Sequence, residues 1–183
     1  MRRLRGFGDT SFAFQGDAAG GVAAAPLPEA LFSLDVQGER ERQWRVQHFE
    51  VTEALSALYS AVIDVASESF TDNPDLLLGR YAVLQVQRDP VQRRFYGVVR
   101  RVEQRGTTGS SRLARVTLAP SLYALTQRSD ARVFQDMTAV EVAQAVLQAA
   151  GLYAGMVQIA LQRAPAKREY IVQHRETDLA FFA

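Results

Sequence analysis

The sequence predicts a β-dominated α+β protein, and three observations predict it. Apolar residues alternate at period two through about six short stretches between residues 31 and 119. Clusters of Gly, Pro, Asn, Asp and Ser separate these stretches, and no helical period runs among them. Beyond Thr138 the period lengthens to that of an amphipathic helix. Six antiparallel strands with turn-rich connections fit a barrel or a sandwich. At 183 residues the chain can build one substantial domain or two small ones.

In chain order, residues 1–27 are rich in Gly, Ala and Pro and are expected to form a flexible leader, with Arg2, Arg3 and Arg5 on a solvated tail. Leu31–Val36 is the first expected strand, with Phe32, Leu34 and Val36 on one face, and Gln37-Gly38-Glu39 turns the chain. In Trp44–Val51 the residues Trp44, Val46 and His48 point one way and Phe49 and Val51 the other, which predicts a bulge or bend near His48. Leu58–Ser67 alternates again before Thr71-Asp-Asn-Pro-Asp breaks the chain. Gly79–Arg88 is a strand that ends at Asp89-Pro90. In Arg94–Gln104 the pattern puts Tyr96, Val98, Arg100 and Val102 on one face, opposite Phe95, Gly97, Val99 and Arg101. Gly97 inside that strand marks a tight bend. Gly106–Ser111 is a hairpin tip, Leu113–Ala119 returns as a strand, and Leu122–Thr126 is a helical turn leading out of the first domain, set at 28–127.

The second part, 128–183, is organised around one helix. Thr138 caps it, Glu141 three residues on completes a capping box, and Met137 with Val142 makes a hydrophobic staple. Val142, Val146 and Leu147 form the apolar stripe, and Gly151 supplies a left-handed exit. Val157–Leu161 and Glu169–Gln173 are expected to pair as a hairpin around Gln162–Lys167. Thr177 caps a last helix whose first-turn Asp178 suits the helix dipole. Only six residues, Asp178 to Ala183, remain for it, against the roughly 12–15 that an isolated helix needs. Leu179, Phe181 and Phe182 are therefore expected to have little cover, and the chain to be a piece of a longer one.

Composition excludes several function classes. The formal net charge is +1, so no global field favours nucleic acid or an acidic membrane. All basic residues but Lys167 are arginines, which reads as genome composition before phosphate recognition. There is no cysteine, hence no disulfide, thiol nucleophile or thiolate metal site. No apolar run approaches the roughly 18 residues of a membrane helix, and Met1-Arg-Arg-Leu-Arg leads into Gly6-Phe7-Gly8 with no apolar signal-peptide core.

No catalytic, cofactor-binding or metal residue is assigned. His48 and His174 lie far apart in sequence, and His48 reads as a strand residue at a bend. His174-Arg175-Glu176-Thr177-Asp178 joins a histidine to two carboxylates, but capping and helix-dipole roles outweigh metal binding or acid–base chemistry there. Gly106–Ser111 lacks the lysine and following helix that a phosphate loop needs. Arg93/Arg94 and Arg100/Arg101 beside Phe95 and Tyr96 have the mix of a single-strand-binding surface, yet in a near-neutral chain ion pairs with Glu103 or Asp89 are the expected use.

Several motifs carry a resemblance. Arg132-Val-Phe-Gln-Asp-Met-Thr-Ala-Val-Glu-Val and Tyr170-Ile-Val-Gln-His-Arg-Glu-Thr-Asp-Leu-Ala-Phe-Phe resemble VgrG-type spike proteins of type VI secretion and the related baseplate hub proteins of contractile-tail phages. Leu77-Leu78-Gly79, Arg94-Phe95-Tyr96-Gly97-Val98-Val99 and Leu118-Ala119-Pro120-Ser121-Leu122 extend it upstream, so about residues 28–183 are covered. The resemblance favours a tube-like antiparallel β-barrel hub domain, followed by the amphipathic helix and the start of a second β/helix hub region. It implies a structural component and not an enzyme: the hub of a homotrimeric membrane-puncturing spike. Implied partners are a tube (Hcp-like) hexamer, baseplate proteins and effector proteins, with no nucleic acid, and membrane penetration is transient and needs no transmembrane helix. The implied location is the bacterial cytoplasm during assembly, then export by the machine with no signal peptide. The other reading is a β-barrel binding module for single-stranded nucleic acid or carbohydrate.

Overall fold

The computed structural model describes residues 2–7, 31–39, 43–88, 91–152 and 158–182. They fall into two units, Met1–Pro120 and Ser121–Ala183. In the first, seven strands are described: β1 (Arg2–Phe7), β2 (Leu31–Val36), β3 (Trp44–Glu53), β4 (Ser60–Ser67), β5 (Tyr81–Arg88), β6 (Val91–Thr108) and β7 (Ser111–Ala119). They make one antiparallel sheet in the order β1-β3-β4-β7-β6-β5-β2. The sheet curls into a half-barrel, and Phe32 of β2 meets Phe49 of β3 edge-on across the interior at 5.4 Å. The β-rich, barrel-like expectation is therefore met.

The interior follows from alternation corrected by bulges. Leu34, Ile63, Leu84, Val99, Val116 and Leu118 are among the inward residues that exclude water. In β3 the register shifts between Val46 and His48. The extra residue turns Phe49 and Val51 to the side that Trp44 and Val46 already occupy, so all four are buried. This is the bend predicted at His48. A second shift, between Val99 and Arg101 in β6, was not foreseen. Val102 consequently packs against the core instead of sharing the outer face with Tyr96.

Gly97 occupies the corner where β6 runs closest to β7. A Cβ there would lie 2.0 Å from the Ala119 carbonyl oxygen and 2.8 Å from the Tyr59 hydroxyl. That hydroxyl donates to the Tyr96 carbonyl at 2.5 Å. Burial, with a smaller push from Glu53, raises the phenol to about 12, so it remains a neutral donor.

The amino terminus corrects the leader reading. Arg2–Phe7 is a strand paired along β3 from Glu53 to His48. Pairing with an open sheet edge uses main-chain groups and needs no apolar alternation, although Leu4 does pack against the core. Residues 8–27 of that expected leader lie outside the described residues.

In the second unit, a 3-10 helix (Ser121–Gln127) precedes β8 (Ser129–Met137), α1 (Ala139–Ala149), β9 (Arg168–Thr177) and α2 (Asp178–Phe182). The helical turn expected at Leu122–Thr126 is there, and its Leu125 is buried in this unit's core with Val142, Val146, Leu147 and Leu152. Every local cue for α1 holds. The Thr138–Glu141 capping box is reciprocal. Met137 joins Val142 in the core. At the far end Leu152 N–H donates to Leu147 and Gly151 N–H to Gln148, while Gly151 takes a φ of 78°.

The expected hairpin is corrected. Gln158–Leu161 has no strand structure, and Val157 lies outside the described residues. β9 instead pairs antiparallel with β8, setting Phe134 opposite Ile171 and Arg132 opposite Gln173. The distant strand prevails because it presents an inward apolar face that the local segment, with Ile159 and Leu161 exposed, does not. The ribbon also supplies the cover that α2 was expected to lack. Leu179 and Phe181 pack on the core, and Phe181 stacks on Phe134 at 6.0 Å, whereas Phe182 stays 40% exposed.

Gly97→Ala tests the β6–β7 approach. The new methyl meets main chain, which cannot swing aside, so the substitution is expected to cost about 1–3 kcal/mol or more. A thermal melt followed by Trp44 fluorescence checks it, and an unchanged midpoint would show that the corner has slack.

Candidate functional site

The sequence motifs of the second unit converge on one buried polar network. Arg132 (β8) and Gln173 (β9) are direct cross-strand partners on the inner face. Arg132 Nε and Nη2 donate to Gln173 Oε1 at 2.9 and 2.7 Å, and Nη2 donates to Asp178 Oδ1 at 2.5 Å. Gln173 Nε2 donates to Asp178 Oδ1 at 2.9 Å and to the Glu176 carbonyl at 3.2 Å. Asp178 N–H donates to the Arg128 carbonyl at 2.9 Å. Arg128 Nε lies 3.8 Å from Asp178 Oδ2, and its Nη1 donates to the Ala149 carbonyl at the end of α1. Arg132 also sits 5.6 Å over the Phe134 ring. Asp178 and Gln173 are 0% and 1% exposed.

This arrangement is a clamp. One guanidinium joins the two strands of the ribbon to the first residue of α2, and a second ties α2 to the end of α1. Thr177 does cap α2, accepting from Ala180 N–H at 3.1 Å. The sequence reading gave Asp178 only a dipole role and missed its ion pair with Arg132. That pair spans 46 residues, and nothing local points to it.

The 174–178 cluster does not converge. His174 is exposed on the outer face, its N–H directed at Glu176 Oε1 at 3.4 Å, while Asp178 points inward. Arg175 between them adopts a φ of 50° and is the extra residue of β9 at the register shift opposite Asp130 and Ala131, which separates the two directions. Among the described residues no three His, Asp or Glu side chains gather as a metal site would require.

In the first unit, Arg115 makes a two-point contact with Asp64 at 2.6 and 2.8 Å, and His48 Nδ1 lies 3.6 Å from the same carboxylate. The Arg115 hydrogen bonds hold Asp64 below the usual carboxylate range, and the charges of Arg115 and His48 add to this. The arginine pairs divide between faces. Arg93 donates twice to Glu53 at 3.0 and 2.9 Å and lies 4.8 Å over the Phe95 ring. Arg101 pairs with Glu103 at 2.9 Å, as expected. Arg100 donates to Ser60 Oγ at 3.4 Å. Asp89 lies outside the described residues.

A curled antiparallel half-barrel followed by a capped helix and a clamped ribbon is an assembly of structural joints. Comparison with known proteins agrees: the profile of the phage tail baseplate hub (GPD) family matches residues 52–183. The chain belongs to that family. Among similar relatives, the type VI secretion system spike protein VgrG3 of Vibrio cholerae is 32% identical over 169 residues, covering 82% of this chain and 16% of the relative. The spike protein VgrG1c of Pseudomonas aeruginosa is 33% identical over 138 residues, covering 75% of this chain and 19% of the relative. The chain thus spans about a sixth to a fifth of the length of these curated relatives. A solved E. coli component of the type VI secretion system, described as structurally similar to the T4 bacteriophage tail proteins gp27 and gp5, shares the fold. It aligns with a TM-score of 0.68 at 20% identity, over 82% of this chain and 41% of that one. The hub-family match runs from the end of β3 through α2, so it takes in both the Asp64–Arg115 pair and the Arg132–Asp178 clamp.

Two predictions follow from these pairs. Arg132→Ala leaves Asp178 buried without its main partner, at an expected cost of about 3–5 kcal/mol to the second unit. Arg132→Ala with Asp178→Ala is expected to cost less than the sum of the singles, read from urea unfolding of the α1 helical signal. Strict additivity would contradict a direct coupling. For Asp64 the folded pKa lies below the unfolded one, so the stabilisation is present above about pH 4 and lost as pH falls through the folded value. Asp64→Asn should flatten that acid limb of the melting midpoint, and an unaltered limb would exclude this pair as its source.

Proposed function

We propose that this chain is a hub subunit of a contractile injection machine. Three copies would surround an axis, cap the end of a hexameric secretion tube and hold a membrane-puncturing spike. Its role is mechanical and not enzymatic, and effectors leave with the spike when the machine fires. In this reading the half-barrel, whose described strands lie between Arg2 and Ala119, is a first hub domain, and the unit from Ser121 begins a second region. Assembly takes place in the bacterial cytoplasm, and export depends on the machine.

The observation that carries this reading is the hub-family match over residues 52–183, which takes in the first unit from the end of β3 onward and all of the second. The spike names of the curated relatives support it. The buried ion pair adds a physical reason, because elements tied by charge-assisted hydrogen bonds keep their geometry under load better than loosely packed ones. No helix among the described residues is long and apolar enough to cross a membrane. On this proposal the spike crosses by being driven through.

The chain mixed with purified tube hexamers tests the proposal. Co-migration on a sizing column with light-scattering detection, at three copies per tube end, is the expected result. A chain that never co-migrates with the tube would exclude tube capping.

A further inference from the structure

The curl of the first unit stops one seam short of closure. Every step of the ladder from β3 through β4, β7, β6 and β5 to β2 is antiparallel, so β2 and β3 run in opposite directions. They are consecutive in sequence, separated by residues 37–43, and consecutive antiparallel strands commonly pair. Their side chains already meet. Phe32 touches Phe49 at 5.4 Å, and Leu34, Val36, Trp44 and Val46 share one core. Yet among the described residues no ladder joins the two strands.

The edge that β2 would need is taken by β1. It pairs with β3 from Glu53 to His48, with Gly6 opposite Phe49 and Phe7 opposite His48. The Phe32–Phe49 contact sets β2 against that same stretch. On this edge the main chain around His48 and Phe49 can serve only one strand at a time. The two claimants hold on differently. Of β1, Leu4 packs on the core and Arg3 lies 3.7 Å from Glu50. Strand β2 sends Phe32, Leu34 and Val36 into the core, but its ladder runs along β5 alone. Gln37 N–H donates to the Tyr81 carbonyl on the β5 side, so by alternation the N–H groups of Phe32 and Leu34 point to the β3 side.

We propose that β1 is a displaceable strap on the edge of β3, and that β2 zips onto β3 and closes the barrel when β1 lifts. The exchange replaces one ladder by another, so the main chain around His48 and Phe49 stays bonded in both states. Closure also gives the Phe32 and Leu34 N–H groups main-chain acceptors across the seam. A partner that takes up Arg2–Phe7 in extended form binds only the lifted state and shifts the balance toward the closed barrel. The device lies within the first unit and does not depend on the hub reading.

Amide hydrogen exchange on the full chain tests it. Leu4→Asp removes the apolar anchor of β1. Exchange across Arg2–Phe7 should quicken, while at Phe32 and Leu34 it should slow by roughly tenfold. Arg3→Cys and Thr52→Cys, added to Leu4→Asp, supply a lock. These residues are direct partners on the outward face, and the chain has no cysteine of its own. Oxidation pins β1 back on β3 and should return Phe32 and Leu34 to wild-type exchange, and reduction should slow them again. Unaltered protection across β6 and β7 shows that the variants fold. The strap is overturned by β1 amides that stay protected in Leu4→Asp, or by β2 amides that do not slow once β1 is loosened. Exchange at Phe32 and Leu34 that ignores the redox state of the lock overturns it equally.

Discussion

A flat alternating sheet cannot enclose a core, so everything in the first unit depends on how the ladder is made to curl. Three register shifts do this: one in β3 beside His48, and two in β6 around Arg100 and Arg105. Each inserts a residue without a ladder partner, bends its strand and exchanges which side chains face inward. Without the first, Phe49 and Val51 would face water while Trp44 and Val46 faced the core. Without the second, Val102 would be lost from it. Gly97 contributes from the opposite side, since an absent side chain lets β6 approach the Ala119 carbonyl more closely than any other residue permits. The apolar pattern provides the material for the core, and the irregularities give it a shape.

What the sequence disclosed follows the distance over which each element is determined. Helix α1 was legible to the residue because its cap, staple and exit are written within fifteen positions of one another, and each is satisfied by main chain close by. The bulge at His48 was legible because the alternation visibly breaks there. The shift at Arg100 was not, because Val98, Arg100 and Val102 continue an unbroken period that the ladder ignores. β1 was hidden for a different reason. Its partner is the open edge of β3, and an edge recruits main-chain groups irrespective of side-chain pattern.

The same logic explains the polar residues. In sequence Arg93 and Arg101 read as members of surface ion pairs, while Arg115 and Arg132 carried no such assignment. Two of the four are held by carboxylates 40 and 51 positions away, Glu53 and Asp64. Asp178 was correctly placed at a helix start, yet its dominant partner lies 46 residues earlier. The motifs that pointed to the hub family, from Arg132 to Val142 and from Tyr170 to Phe182, therefore contain Arg132, Gln173 and Asp178, the centre of one buried network. The resemblance registered a physical contact before the contact itself could be seen.

That network answers a difficulty posed by the ribbon it sits in. A two-stranded sheet is marginal by itself, and a slip of one residue turns every side chain to the other face. An apolar pair in place of Arg132 and Gln173 would pack acceptably in more than one register. A guanidinium would not, because another register parts it from Gln173 Oε1 and leaves the buried Asp178 without its partner. The ion pair thus contributes less by its net energy, which desolvation offsets, than by the penalty it places on wrong alignments. Asp178 is also the first residue of α2, so the alignment that fixes β8 against β9 fixes where that helix begins. For a family whose members serve as hubs, one defined path of the chain out of the ribbon matters more than a few kilocalories of extra stability.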